Sequence, residues 1–449
     1  MFIYKQPCLG SSVVEHFPEE EVVGSAILPP GTLMNKKNIF LWTLYDFANS
    51  IVSIVFFLYF SQWLVIDKGV PDLWYNMIFA AGSLLLLFTA PILGGIADKN
   101  GKQQNYLNRI TILTFLCFLA VSFITLFFYN QVFLAVLFFL FANYFYQFSF
   151  VFYNALLRYI APRELWGRIS GIGQTGNWLG QIAGLLITLP LASGAVYLVG
   201  EVGRAQTFLP ATIVFFVLAL PMLLYFKIEK KENTVNKVNI KEEYRNYWGQ
   251  FRALIKDPNI GLFLLAFFFF NDAILTAANN FPIYLEKVFT VSDSTKSMIL
   301  VGILATSAVG AFCSGLIADR FGLKKTLLVV LGSWVLIFPS LAITSNFKLF
   351  VFFTVLMGFM YGATWTITRA TMTEICPKEK SNFGFSFYTL AERVSTLVGP
   401  LAWGLIIYLF SDMGPTAYRI SVSLMTVFII IGIFLLRKVE IKETKDLTS

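Results

Sequence analysis

The chain has 449 residues, of which 57% are hydrophobic and only 13% charged, with a formal net charge of +8. Its mean hydropathy is +0.70. A water-soluble domain keeps its apolar content near half with glycine included and its charged content near a quarter, so this chain lacks the polar surface to cover a globule in water. Intrinsic disorder is excluded for the same reason. Cys8, Cys117, Cys313 and Cys376 are too scattered for a disulfide framework or a metal site. The chain reads as an all-α integral membrane protein.

Residues 1–37 form a polar tail, acidic at Glu19, Glu20 and Glu21, without the basic-then-apolar order of a signal peptide. The string at 10–25 resembles the peptide made when a tRNA gene is translated. Met34 reads as the natural start, and 1–33 as a start-site artefact expected to be disordered. A helix crossing about 30 Å of hydrocarbon needs roughly 20 apolar residues. Runs of that kind fall at 39–65, 74–97, 106–128, 131–157, 169–190 and 207–227. After a polar stretch they resume at 259–285, 298–318, 324–343, 348–374, 383–409 and 417–436. The expected organisation is a first six-helix bundle at 38–227, a cytoplasmic linker at 228–257, a second bundle at 258–437 and a cytoplasmic tail at 438–449. Solid apolar runs such as Leu262 to Phe270 exclude a membrane barrel, whose strands alternate in polarity.

With the N-terminus inside, 25 lysines and arginines in the loops and at the span ends fall on the cytoplasmic side and 6 on the other. That bias places both termini in the cytoplasm, the membrane being a plasma or inner membrane. The net positive charge then reads as topology together with attraction to anionic headgroups. A nucleic-acid partner is not expected, because it requires a clustered basic face with aromatic platforms.

The two halves repeat a motif. Gly94, Asp98, Lys99, Gly101 and Lys102 follow the second span; Gly315, Asp319, Arg320, Gly322 and Lys324 follow the eighth, with Asp319 lying 221 residues after Asp98. Both strings read G-x-x-x-D-[K/R]-x-G. The first glycine is expected to let a helix end approach its neighbour, the second to turn a tight loop, and the aspartate to pair with a base or a helix N-terminus.

The repeat, the twelve spans and the central basic loop resemble the major facilitator superfamily. Trp42 to Ser50 (WTLYDFANS) resembles the signature of its vacuolar-effluxer-like branch. That branch also carries an F-Y-N-A-L-L string, here Phe152 to Leu157, and an N-D-G-x-x-T-like element, here Asn271 to Thr276 with Ala273 in the glycine's place. Its F-G-x-Y, base and G-P pattern corresponds to Phe383, Gly384, Tyr388, Arg393, Gly399 and Pro400. The likeness runs from Asn38 to Leu436; the departures at Arg158, Tyr159 and Trp365 bear on the substrate more than on the fold. The resemblance implies twelve transmembrane helices in two pseudo-symmetric six-helix bundles. It also implies secondary transport by rocking of one bundle against the other, with the duplicated motif latching the cytoplasmic side, and it points toward amino-acid export. No cofactor is implied, and a single copy of the chain is expected to suffice.

An ionisable group inside a span costs roughly 3 kcal/mol on insertion scales and calls for a reason. Asp46 and Asn49 share a face of the first span. Asn271, Asp272, Asn279 and Asn280 interrupt the seventh, its counterpart. Each aspartate either faces a central solute site or caps and pairs locally. Arg369 in the tenth span and Glu392 and Arg393 in the eleventh are the other charges; Arg393 could pair with Asp272, or Glu392 with Arg369, as a switching or a purely structural pair. Asn143, Gln147 and Asn154 form a stripe on the fourth span, either interhelical glue or cavity lining. His16 is the only histidine, so a coupled proton would ride on Asp46, Asp272 or Glu392; uniport needs none of them. The mixture suits a small polar or zwitterionic solute. No span carries a nucleophile–base pair or metal cluster of an enzyme. A non-transporting membrane scaffold or receptor with the same fold stays open.

Gly171 to Gly176 matches a dinucleotide fingerprint but opens a transmembrane span with no strand before it. Gly176, Gly180 and Gly184 instead make a small-residue stripe for close helix packing. Gly101-Lys102 lacks the leading glycine and the hydroxyl residue of a phosphate loop. Trp42, Trp63 and Trp74 are expected as interface anchors, while Trp178, Trp365 and Trp403 could either stack in a cavity or pack.

Overall fold

A computed structural model of the chain describes residues 36–99, 102–128, 130–160, 166–200, 202–227, 256–375 and 395–440, with short pieces at 245, 248–249, 252, 388 and 391–392. The tail, nearly all of the 228–257 linker, Gly101, Arg393 and residues 441–449 lie outside this description, as do the side chains of Asp98, Lys99 and Asp319.

The described residues form eleven long helices and one shorter one. In the first half these are α1 (Lys36–Val55), α2 (Asp72–Lys99), α3 (Gln103–Phe127), α4 (Val132–Ile160), α5 (Trp166–Ala192) and α6 (Phe208–Tyr225). The second half holds α7 (Pro258–Phe289), α8 (Asp293–Phe321), α9 (Leu323–Ile343), α10 (Phe347–Ile375), α11 (Val398–Leu409) and α12 (Pro415–Arg437). Helices are what a lipid solvent dictates, since each satisfies its own backbone polar groups. Local chemistry sets their ends. Asp257 caps α7 by accepting from the Asn259 and Ile260 amides at 3.0 and 3.4 Å, with Pro258 in the first turn. Ser292 caps α8. Gly322, at φ 90°, is the single residue between α8 and α9, a backbone conformation that L side chains resist.

Ten helices are long and apolar enough to cross a membrane. The two others, α5 and α11, occupy the same place in the two halves. α5 is diluted by glycines and amides, and α11 is described as helix over 12 residues only. The span expected at 383–409 is therefore not one described helix: bends at Ser395 to Leu397 precede α11. α1 runs longer than expected, continuing in π geometry over Phe56–Phe60 and Trp63–Asp67.

The repeat seen in sequence is a repeat in packing. α1 lies on α5 and α6 as α7 lies on α11 and α12; α3 lies on α4 and α6 as α9 lies on α10 and α12; α2 lies on α4 as α8 lies on α10. The halves meet where α2 packs on α11 and α5 on α8, contacts that exchange under the same repeat.

Glycines decide the closest approaches. A Cβ at Gly180 would collide with the Phe47 carbonyl oxygen, and one at Gly176 would stand 2.8 Å from Thr43 Cγ2. Gly184 meets Ile51 and Ile54 in the same way, so the expected stripe is the α1–α5 contact. Gly310 and Gly362 bring α8 and α10 equally close, against Phe359 and Ser307.

The expectations for Gly315 and for two of the tryptophans need correction. Gly315 has no heavy atom within 4 Å of where its Cβ would stand, so it makes no close approach; Gly94 does, 3.3 Å from Val151. Lys324 donates to the Arg437 and Val439 carbonyls at 2.9 and 2.6 Å. It ties α9 to the end of α12 within one half, as a cation at a helix C-terminus does. Trp42 and Trp63 are buried, and only Trp74 is exposed like an interface anchor.

Candidate functional site

A cavity of about 470 Å³ lies between the halves, walled mainly by α1, α2, α4 and α5 on one side and α7, α8, α10 and the eleventh span on the other. Its charged lining residues, among those described, are Asp46, Arg369 and Glu392. Asn143, Gln147 and Asn154 of the α4 stripe all line it. Asn279, Trp178 and Trp365 also line the cavity, whereas Trp403 is packed away in the core.

The α1–α5 contact builds the first wall. With the glycine stripe pressing α5 onto α1, Asn177, next to Gly176, donates its amide to Asp46 Oδ1 at 3.0 Å. Gln181, one turn on and next to Gly180, donates to Asn177 Oδ1 at 2.7 Å. Asp46 thus heads a chain of two amides, and all three residues line the cavity. Neither amide emerged from the sequence, although polar residues flanking a small-residue stripe in a membrane span are a readable signal. Trp42 stacks on Tyr153 of α4, centroids 4.5 Å apart and planes within 5°. Each donates to the other's backbone carbonyl, at 3.2 and 3.3 Å. The strings at 42–50 and 152–157 are therefore neighbours in space, meeting beside Asp46. Asn49 is buried but outside the lining.

Asp272 behaves differently. It does not line the cavity; its Oδ2 accepts the Gly399 backbone N–H at 2.7 Å, with the Thr276 hydroxyl 3.5 Å from Oδ1. A helix N-terminus exposes unpaired N–H groups and the positive end of its dipole, and Asp272 answers both at the start of α11. Gly399 is needed because a Cβ there would stand 2.7 Å from Asp272 Oδ1; Pro400 brings no N–H that would need a partner. Asn271 donates to Ser395 Oγ and, at 3.3 Å, to the Glu392 carbonyl. The expectation that both first helices turn an aspartate to the centre fails for Asp272. Its proposed pairing with Arg393 concerns a residue outside the description. Glu392 and Arg369 both reach the cavity. Removing the cap should show as instability: Asp272→Ala leaves the Gly399 N–H orphaned, at a cost of about 1–3 kcal/mol, while Asp272→Asn keeps an acceptor. Thermal unfolding of the two purified variants checks this.

One end of the cavity is shut. Call the end of the bundle bearing Lys36 and Arg437 the near end, and the other the far end. At the far end Arg204, just before α6, binds Asp293 of α8 through two bonds at 3.0 and 3.1 Å and pairs with Asp67 at the end of α1. Lys296, fully buried, binds Asp293 at 2.8 Å and also Glu286 of α7 and Gln62 of the first half. Asn76 and Asn280 exchange amide hydrogen bonds at 2.9 and 2.8 Å. Tyr418 donates to Asp72 at 2.7 Å, and Tyr59 and Ser297 pair at 3.2 Å. All of these bonds join one half to the other, except the Arg204–Asp67 pair within the first half and those of Lys296 to Glu286 and Asp293 within the second. In sequence, Arg204 looks like an isolated loop charge because its acids come from other helices; Lys296 has Asp293 three residues before it on α8, but Glu286 comes from α7.

Among the described residues no group of His, Cys, Asp and Glu side chains is placed to hold a metal ion. The site is one of hydrogen-bonding and charged groups around a space for a small molecule.

Comparison with known proteins agrees with this architecture. The chain is 23% identical over 428 residues to the uncharacterized MFS-type transporter YxiO of Bacillus subtilis (strain 168), covering 91% of this chain and 96% of that one. It is 24% identical over 308 residues to autophagy-related protein 22 of Yarrowia lipolytica, covering 61% of this chain and 50% of that one. A crystal structure of a bacterial homolog of the human lysosomal transporter Spinster, inward-facing and unoccupied, superposes with a TM-score of 0.70 at 15% identity, covering 91% of this chain and 98% of that one. Residues 11–185 and 262–449 match the family model, one segment in each of the halves that repeat each other in packing; the chain belongs to the Major Facilitator Superfamily.

Proposed function

We propose that this membrane transporter moves a small polar or zwitterionic solute, with amino-acid export as the leading case, by alternating access at the central cavity. The observation that carries the reading is the cavity itself: about 470 Å³, within the few hundred Å³ typical of small-molecule sites, walled by both halves and shut at the far end by bonds between them. Both signs of charge line it, Asp46 on one wall and Arg369 and Glu392 on the other, as a zwitterion would require. The likeness to the vacuolar-effluxer-like signature supports amino-acid export.

In this reading both termini are cytoplasmic, as the loop charges favour, and the far end is the outer side. The fold then stands closed outward, in keeping with the inward-facing neighbour. Opening the outer side would break the bonds of Arg204 to Asp293 and of Lys296 to Gln62, and the duplicated G-x-x-x-D loops would close the inner side in their place. If flux is coupled to protons, Asp46 and Glu392 are the carboxylates within the solute's reach; Asp272 is a structural cap. Asp272→Asn should therefore retain at least half of wild-type flux in proteoliposomes, whereas a coupling role for Asp272 would abolish it. A thermal-shift screen of purified protein against amino acids and other small solutes tests the function, and flux in proteoliposomes separates a transporter from a scaffold or receptor.

A further inference from the structure

We propose that Asp46, held by Asn177 and Gln181, is the recognition point for a positively charged amino group on the solute. The proposal rests on the cavity being the solute's path, and three independent observations support it.

The first is charge. The described lining carries two carboxylates, Asp46 and Glu392, against one guanidinium, Arg369. A carboxylate in a membrane interior is expensive, and a cationic group on the cargo lowers that cost on each passage. The second is placement. Asp46 is 7% exposed, and that exposure opens on the cavity. Asn177 and Gln181 fix the carboxylate by a hydrogen-bonded chain that starts on Oδ1. The third is the aromatic surround. The stacked Trp42–Tyr153 pair and Trp178 line the same wall, and aromatic faces attract ammonium groups where water is scarce.

The second half sharpens the contrast. Asp272, on the corresponding first helix, is sealed onto the Gly399 N–H and positions a helix. The two halves have assigned their aspartates to different work, and only Asp46 faces the cargo. Arg369, across the cavity, is the natural partner for a carboxylate on a solute that has one.

Purified protein in nanodiscs is titrated with the protein amino acids, and with the N-acetylated and the decarboxylated counterpart of each binder; glucose, uridine and succinate serve as neutral and anionic probes. Binding is read by calorimetry and thermal shift. The expected result is that amine-bearing probes bind, that N-acetylation weakens binding at least tenfold, and that Asp46→Asn does the same. Gln181→Ala should weaken the amines severalfold while leaving the unliganded protein folded. Should Asp46→Asn fail to fold, Asn177→Ala and Gln181→Ala decide the matter, since both leave the carboxylate in place. Equal binding of N-acetylated and free amines, or amine affinity unchanged in the variants, overturns the assignment while the cavity remains a solute site. If no probe of any class binds, the path reading fails, and this assignment with it.

Discussion

Replacing Lys296 by alanine is expected to open the far end of the cavity. Its ammonium is fully buried between Glu286 and Asp293, which are themselves only 19% and 11% exposed. Removing one partner of a buried ion pair costs about 3–5 kcal/mol, because the remaining charges stay desolvated and unpaired. Here the partial exposure of the acids and the remaining Arg204 contact argue for about 3 kcal/mol. The cost falls on the state that holds the cluster together. Where the far end parts, water reaches the acids and the loss is smaller. A difference of that size raises the far-side-open population about 100-fold. Ser53→Cys, placed on the cavity wall in a cysteine-free background, reports it. An impermeant maleimide added at the far side should label this cysteine much faster in the Lys296→Ala protein. Unchanged labelling in a folded variant would show that the cluster is not what shuts that end.

The largest stability loss is expected at the α8–α10 contact. A Cβ at Gly362 would overlap the Ser307 carbonyl oxygen, and one at Gly310 the Phe359 carbonyl oxygen. Backbone cannot step aside as a flexible side chain can, so Gly362→Ala or Gly310→Ala must force the two helices apart. Overpacking of this kind costs roughly 3 kcal/mol, enough to lower the Tm of a chain this long by roughly 3 °C. Gly302 and Gly315, on α8 as well, have open space where a Cβ would stand. Alanine there should leave the Tm unchanged or slightly higher, since glycine in a helix interior loses roughly 0.5–1 kcal/mol to alanine. The contrast matters because Gly315 belongs to the duplicated motif and Gly302 and Gly310 do not. Equal losses at all four positions would mean that glycine content, not close contact, sets the stability.

Much of this architecture was legible in the chain because its signals are local. A span is a run of apolar residues, so eleven of the twelve expected ones reappear as helices with small changes at their ends. The glycine stripe at Gly176, Gly180 and Gly184 is a spacing rule, and the structure shows it as a contact with α1. The polar residues of α4 were legible as a stripe, though not which way it faced. What sequence withheld were relations between distant helices. Nothing in residues 271–276 says that the Asp272 carboxylate meets a backbone N–H 127 residues later. Nothing near Arg204 names the acids of α1, α7 and α8 that surround it, and nothing near Lys296 beyond Asp293 names Glu286 or Gln62. Asn177 and Gln181 look like dilution of an apolar span until α1 is laid beside them. Trp42 and Trp63 sit where interface anchors sit in a linear count, but packing between helices overrides that position and buries them.

The central claim is that solute crosses the membrane through the cavity between the halves. Purified protein in proteoliposomes loaded with a mixture of the protein amino acids, challenged with each labelled amino acid outside, measures this directly. The account predicts saturable exchange of at least one amino acid above protein-free vesicles, reduced at least tenfold by Asp46→Asn. Exchange no faster than in empty vesicles across the whole panel would contradict it.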